Sequence, residues 1–183
     1  GFPVRWVSDR SDGMAIDYHD RDQTTDVELA VDKNVRFLAL KVSSTCGIGA
    51  YLEPGGTISP AGHLGGLAGT YRTPLIYAES SAVFTNTACN GPFRGSGRPE
   101  AAYVLEQIID AAAREIGMDR ADIRRRNFVR EQDYPFKTGL IFTLDCGEFD
   151  KNQEKALAAA DYENFEDRRQ KAKADGQLRG IGI

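Results

Sequence analysis

Hydrophobic and polar residues alternate in two neighbouring stretches near the N-terminus. Val27, Leu29 and Val31 alternate with polar or small residues, and a second strand-like run extends over 35–42. The residues between these runs, 32–34, include Asp and Asn, which tolerate the left-handed backbone of a tight turn. The pattern therefore predicts a β-hairpin.

The most regular helical pattern begins at Pro99. Apolar residues recur along one helix face, at Ala101, Leu105, Ile108, Ile109, Ala112 and Ile116. Pro suits the first helical position, and Gly117 suits the position just after a helix. We predict consecutive helices over about 99–117 and 120–127, the second capped by Asp119.

The remaining periodic segments are shorter. They predict a helix over 9–16 capped by Ser8 or Asp9, strands at 4–7, 81–87 and about 140–143, and helices over 150–160 and 163–174. Together the elements predict an α+β fold with a mixed or antiparallel sheet, an N-terminal hairpin, two consecutive main helices and a helical C-terminal tail.

The Gly-rich segment 53–74 shows neither helical nor strand periodicity. We predict a long loop there, and such loops in compact domains are usually functional, disordered or covered by a partner. Its apolar residues have no periodic place in the core, so we expect the segment to be poorly ordered or packed against another chain.

Composition limits the classes of function. The chain has 183 residues, which suits a single domain, and 41% hydrophobic with 27% charged residues is typical of a soluble globular protein. A net charge of -4 argues against non-specific nucleic-acid binding. No apolar run approaches the roughly 20 residues of a membrane span.

Cysteine and histidine are too sparse to predict a disulfide framework or a zinc site. Cys46, Cys89 and Cys146 lie far apart, which indicates a reducing, cytoplasmic setting. We interpret Cys46 and Cys89 as buried apolar residues, and His19 and His63 as surface or core histidines. The arginines at 120 and 124–126 indicate a solvated helix face or an intersubunit contact.

The loop 91–98 is the strongest candidate for chemistry. Gly91, Gly95 and Gly97 allow positive φ and close approach of a ligand to the backbone. The helix that follows presents unpaired N–H groups, and Arg94 and Arg98 add fixed cations. These features predict a site for an anion or an electron-rich oxygen. The alternative is a Gly-rich turn with solvated arginines.

Known phosphate-binding motifs do not fit this loop. It lacks the Gly-Lys-Ser/Thr of a Walker loop, and Glu100 stands where the dinucleotide fingerprint needs a third small residue. Gly95-Ser96-Gly97 also lacks the spacing of a nucleophile elbow.

The run from Thr85 to Ala101 contains this loop and carries a family pattern. Further segments of the same pattern follow in the expected order, at 3–10, 49–52, 117–119, 124–128 and 178–182. In these segments the chain resembles the molybdenum subunit of the xanthine dehydrogenase/aldehyde oxidase family, including carbon monoxide dehydrogenase-like large subunits. The resemblance extends over essentially the whole chain.

The resemblance implies a molybdenum hydroxylase, which inserts a water-derived oxygen at an electron-poor carbon of an aldehyde or N-heterocycle. It places Phe93, Arg94 and Gly95 at the cofactor and Ser96 in the substrate pocket. Ser96 cannot stack on a heterocycle, as the aromatic residue of some members does. Carbon monoxide dehydrogenases proper have a cysteine after the arginine, whereas Gly95 stands here.

The resemblance also implies what lies outside this chain. No residue here is assigned as catalytic or as a metal ligand, because the family's glutamate base belongs to a later segment. The full enzyme would hold molybdenum–molybdopterin, with the cytosine dinucleotide form as one option, and FAD and 2Fe-2S clusters on partner chains or domains. Its partners would be the remaining segments of the molybdenum subunit and a small-molecule substrate.

The chain begins without Met and ends in the apolar residues 181–183, so we expect 1–183 to be a single-domain internal fragment of a larger protein. Alone, it should be inactive and should bind no cofactor. One alternative is a non-catalytic interaction module with the same fold. Another is an unrelated anion-binding domain.

Overall fold

A computed structural model describes residues 1–183 and contains two sheets and six α-helices. The elements in chain order are α1 (Arg10–Ile16), β1 (Gln23–Val31), β2 (Phe37–Gly47), α2 (Ile58–Gly66), β3 (Leu75–Val83), α3 (Arg98–Ile116), α4 (Arg120–Asn127), a 3-10 helix (Glu131–Asp133), β4 (Phe136–Lys137), β5 (Thr143–Leu144), α5 (Phe149–Ala159) and α6 (Phe165–Ala174). The predicted α+β class and the helical C-terminal tail are confirmed.

The main sheet has the order β1-β2-β3 and is mixed. β1 and β2 form the predicted antiparallel hairpin, and β3 lies parallel to β2. At the turn, the Asp32 carboxylate accepts hydrogen bonds from the N–H groups of Asn34 and Arg36, each at 2.8 Å. The left-handed residue is Val35, at φ +60°, rather than an Asp or Asn. The side chain of Asp32 therefore stabilises a turn that places a β-branched residue at positive φ.

Three predicted strands differ from the structure. The strand predicted at 81–87 lies at Leu75–Val83, where its backbone pairs with β2. The segment 4–7 forms no strand, because its alternating residues find no neighbouring strand to pair with. The strand predicted at 140–143 is the two-residue β5, which pairs with β4.

The prediction of a long loop over 53–74 is wrong. The segment contains α2, and Leu67 and Tyr71 just after it are buried in the main hydrophobic core. Helical periodicity is absent because α2 uses small residues for close contacts: a Cβ on Gly66 would lie 2.9 Å from the Cβ of Ala101 on α3. The segment therefore packs against its own chain.

The core lies where α3 and α4 pack with the sheet. Leu40 and Val42 of β2 are fully buried together with Ile109 of α3 and Ile123 of α4. The predicted apolar face of α3 is largely confirmed, although Ile116 remains 41% exposed. Gly117, at φ +72°, ends the helix as predicted.

A buried ion-pair network joins α3 to α4. The Arg124 side chain is only 4% exposed, and its Nε and Nη1 each lie 2.8 Å from a carboxylate oxygen, of Glu106 and Asp110 respectively. The Tyr71 hydroxyl donates to Glu106 at 2.9 Å. Burial raises the pKa of Tyr71, and the neighbouring Glu106 charge raises it further. The prediction of a solvated or intersubunit basic face is therefore wrong for Arg124.

We predict that Arg124→Ala lowers the free energy of unfolding by about 3 kcal/mol, because it removes the buried guanidinium that Glu106 and Asp110 share and leaves Asp110 only its 3.3 Å pair with Arg120. Arg125→Ala removes only the partly exposed Asp122 pair and should change the free energy by less than about 0.5 kcal/mol. Urea unfolding of both variants measures the difference. Equal free energies of unfolding for the two variants would show that the Arg124 network contributes nothing to stability.

Candidate functional site

The loop before α3 has an unusual backbone. Gly95, Ser96 and Gly97 all have positive φ, at +101°, +46° and +91°. The Ser96 N–H donates to the Phe93 carbonyl at 2.8 Å, and the Arg98 N–H donates to the Gly95 carbonyl at 3.1 Å. Two overlapping turns therefore reverse the chain directly before the helix.

This loop rests directly on α2. A Cβ on Gly97 would lie 2.4 Å from the backbone nitrogen of His63 and 2.6 Å from the carbonyl oxygen of Ser59. A Cβ on Gly62 would lie 2.5 Å from the carbonyl oxygen of Ser96. The helix and the loop therefore meet backbone to backbone, and both contact positions require glycine.

His63 connects α2 to the sheet. It is fully buried, with Nδ1 at 2.8 Å from the Pro60 carbonyl oxygen and Nε2 at 3.0 Å from the Ser44 hydroxyl. A carbonyl oxygen only accepts hydrogen bonds, so Nδ1 carries a hydrogen and donates it to Pro60. Because both ring nitrogens have protein partners, His63 is a core histidine, one of the two options that the sequence left open.

Asp20 connects three parts of the site through one carboxylate. Its Oδ2 accepts from the Phe93 N–H and from the Ser59 hydroxyl, both at 2.8 Å, and its Oδ1 accepts from the Arg21 N–H at 2.8 Å. The carboxylate thereby joins the loop to α2 and to the segment that precedes β1.

Arg21 binds the same loop at the next residue, Arg94. Its Nη2 donates to the Arg94 carbonyl at 2.9 Å, and its Nε lies 3.1 Å from Oε1 of Glu100. Its guanidinium also lies over the Phe93 ring, 5.1 Å from the centroid. The Glu100 side chain is 6% exposed, and its Oε2 has no partner.

Sequence reasoning missed Asp20 and Arg21. They lie in the charged run 20–22, which shows no periodicity, and their partners are some 40 to 80 positions away in the chain. A single arginine between two aspartates, next to a predicted strand, was the only available signal. Arg21 also takes a left-handed φ of +68°, which composition does not reveal.

The predicted site residues lie together on the exposed side of the loop. Phe93 is 62% exposed, Arg94 and Gly95 are exposed, and Ser96 is half-buried. The Arg94 guanidinium has no partner in the chain, and neither do the N–H groups of Arg94 and Gly95. Arg98 instead donates to the Ser96 carbonyl at 3.3 Å. The loop thus presents one free fixed cation beside two free amide donors, which suits an anionic or oxygen-rich ligand.

Other candidate groups are separate from this surface. Cys46 and Cys89 are buried, as predicted, Cys146 is exposed, and all three are free. No three side chains of His, Cys, Asp or Glu converge in an arrangement that could hold a metal ion. None of the helices has the length and apolar character needed to cross a membrane.

Comparison with known proteins gives consistent matches. The family model described as "Molybdopterin cofactor-binding domain" matches residues 1–128. The carbon monoxide dehydrogenase large chain of Hydrogenophaga pseudoflava is 34% identical over 191 residues, which include 100% of this chain and 24% of the relative. The 6-hydroxypseudooxynicotine dehydrogenase complex subunit gamma of Paenarthrobacter nicotinovorans is 32% identical with the same coverage. The chain therefore spans about a quarter of the length of these curated relatives.

Solved structures match the same fold. Quinoline 2-oxidoreductase from Pseudomonas putida 86 superposes with a TM-score of 0.87 and 33% identity, over 94% of this chain and 22% of that protein. The reconstituted CO dehydrogenase from Oligotropha carboxidovorans superposes with a TM-score of 0.83 and 28% identity over the same shares.

We predict that Gly97→Ala lowers the free energy of unfolding by at least about 2 kcal/mol, because the new Cβ combines left-handed strain with a backbone clash. Gly117→Ala provides the matched control: its φ is +72°, but nothing lies within 4 Å of its added Cβ. The control should cost about 1 kcal/mol. Chemical denaturation compares the two variants, and equal losses would mean that the contact with α2 has no energetic role.

Proposed function

The chain belongs to the molybdopterin cofactor-binding domain family, and on that basis we propose that residues 1–183 form one domain in the cofactor-binding region of a molybdenum hydroxylase. The observation that carries this proposal is the exposed loop with the free Arg94 guanidinium and two free amide donors. In the whole protein the reaction would be the oxidative hydroxylation of an aldehyde or an N-heterocycle.

The residues of the loop fit a molybdenum–molybdopterin group. Such a cofactor presents anionic and oxygen-rich groups, and the loop offers donors with no competing partner in the chain. Gly95 has no side chain to block approach to the backbone. We therefore propose that Phe93, Arg94 and Gly95 hold the cofactor and that Ser96 lines the substrate pocket.

The chain's own residues would position the substrate and stabilise the negative charge that develops during the reaction. When bound, the cofactor supplies the two-electron redox chemistry of the hydroxylation. The Arg94 guanidinium cannot lose its charge under ordinary conditions, so it provides a constant positive field where negative charge develops. Ser96 offers a small side chain with one hydroxyl, which leaves room for a substrate ring without stacking on it.

The wider assembly is part of the same proposal. Matched relatives are named as a complex subunit and as a large chain, which supports the presence of partner subunits. We propose that partner subunits or domains carry FAD and 2Fe-2S clusters. The remaining segments of the molybdenum subunit would complete the site, and the cofactor would be the plain or the cytosine dinucleotide form.

Three free cysteines support a cytoplasmic location. Gly95, in place of the cysteine expected in carbon monoxide dehydrogenases proper, argues against a copper-linked site.

We predict that residues 1–183 expressed alone carry no stoichiometric molybdenum and no hydroxylase activity. The loop provides a single exposed wall, and a buried cofactor needs several enclosing segments. Elemental analysis of the purified chain tests this expectation. Near-stoichiometric molybdenum in the isolated chain would contradict it.

The proposed function is tested at Arg94 in the intact enzyme. We predict that Arg94→Ala lowers turnover at least about tenfold, or roughly 1.4 kcal/mol in the barrier. Arg94→Lys should recover only part, because lysine keeps the charge but not the planar fork. The free energy of unfolding should change little, since the Arg94 side chain is exposed and has no partner in the chain.

Steady-state kinetics on molybdenum-replete enzyme gives the measurement. Arg125→Ala, on α4 and away from the loop, is the control and should leave turnover near that of the wild type. Full turnover of Arg94→Ala with full metal content would show that Arg94 is only a solvated loop arginine.

A further inference from the structure

We propose that Asp20 and Arg21 are positioning residues that set the location of the cofactor-facing loop. This inference rests on the proposed function of that loop. Asp20 holds the loop through the Phe93 N–H, and Arg21 holds it through the Arg94 carbonyl. Two adjacent residues from outside the loop therefore bind both ends of the Phe93–Arg94 dipeptide, the N–H of Phe93 and the carbonyl of Arg94.

The Asp20 contact also ties the loop to α2. One carboxylate oxygen accepts both the Phe93 N–H and the Ser59 hydroxyl at 2.8 Å. Hydrogen bonds to an ionised acceptor are stronger than bonds between neutral groups. Because α2 also contacts Gly97 at backbone distance, the helix supports the loop at two points, directly at Gly97 and through Asp20 at Phe93.

The Arg21 guanidinium makes three contacts. Its Nη2 donates to the Arg94 carbonyl, its Nε pairs with the buried Glu100, and its central carbon lies over the Phe93 ring. The rigid planar fork of arginine suits such simultaneous contacts, whereas a lysine ammonium is a point charge. Arg21 thus connects the loop to the first turn of α3.

These contacts determine where the Arg94 side chain begins. The guanidinium of Arg94 has no partner of its own in the chain, so its direction depends on the backbone that carries it. The groups held by Asp20 and Arg21 flank the Arg94 Cα on both sides. A misplacement of about 1 Å remote from the chemistry can lower a rate about a hundredfold, so loss of this grip should affect turnover.

A purely structural explanation exists for Arg21. The Glu100 side chain is 6% exposed and one of its oxygens has no partner, so Arg21 could serve only to neutralise a buried carboxylate. The two explanations differ in what happens when Glu100 no longer carries a charge. The experiment below separates them.

The first measurement is hydrogen exchange of the segment 91–98 in the intact enzyme. Asp20→Ala and Arg21→Ala should each accelerate exchange there at least about fivefold, the effect expected from losing about one net hydrogen bond. Arg169→Ala on α6, which removes an exposed pair with Glu166, is the control and should leave that segment unchanged. Unchanged exchange in both test variants would overturn the proposal.

The second measurement is steady-state kinetics with determination of molybdenum content. Arg21→Ala should lower kcat at least about tenfold and change KM less than about threefold, with molybdenum content retained. Arg21→Lys, which keeps the charge beside Glu100, should recover only part of kcat. If Arg21→Ala fails to assemble, Arg21→Lys alone carries the test. Full kcat in the variant tested would overturn the proposal.

The double variant Arg21→Ala with Glu100→Gln decides between the two explanations. If Arg21 positions the loop, kcat stays low, because the carbonyl bond and the ring contact are still missing. Recovery of kcat would show that Arg21 only balances the charge of Glu100, and would overturn its positioning role.

The same experiments keep this inference distinct from the proposed function. If Arg94→Ala lowers turnover while the Arg21 variants keep full kcat, the positioning role alone fails. If Arg94→Ala has no effect, the functional role of the loop fails and the positioning role fails with it. In either case, hydrogen exchange of the segment 91–98 measures how firmly Asp20 and Arg21 hold the loop.

Discussion

The close approach of α2 to the start of α3 is the contact on which the arrangement of this chain depends. It is possible because Gly62 and Gly97 have no side chains, so the two backbones meet directly. A helix packed at this distance leaves little freedom to the three left-handed residues before α3. The loop therefore owes its shape to a neighbouring helix as well as to its own glycines.

The middle of α3 is held to α4 by charge. Arg124 brings a buried guanidinium between Glu106 and Asp110, and Tyr71 adds a hydroxyl to the same group. These ion pairs are costly to break because the Arg124 guanidinium is 4% exposed and has little water to replace its partners. Glycine contacts position the N-terminal end of α3, and the ion pairs connect its middle to α4.

The arginines near the loop divide their roles according to their partners. Arg21 donates its hydrogen bonds within the chain, to the Arg94 carbonyl and to Glu100. Arg94 keeps its guanidinium free and exposed. Such a division suits a binding surface, because a donor that has to bind a ligand must not be satisfied internally, while its backbone must be held in place.

The sequence by itself determined the α+β class, the hairpin, the two main helices with their caps and the composition of the loop, since these follow from short-range periodicity and from Pro and Gly at helix ends. It also carried the family pattern. Only the tertiary structure decided the place of α2, the burial of Arg124 and the hydrogen bonds from Asp20 and Arg21 to the loop. These features depend on contacts between residues far apart in the chain. A helix that packs through glycines, or a charge that is buried by its partners, has no periodic signature, because its stability comes from the neighbour and not from the local pattern.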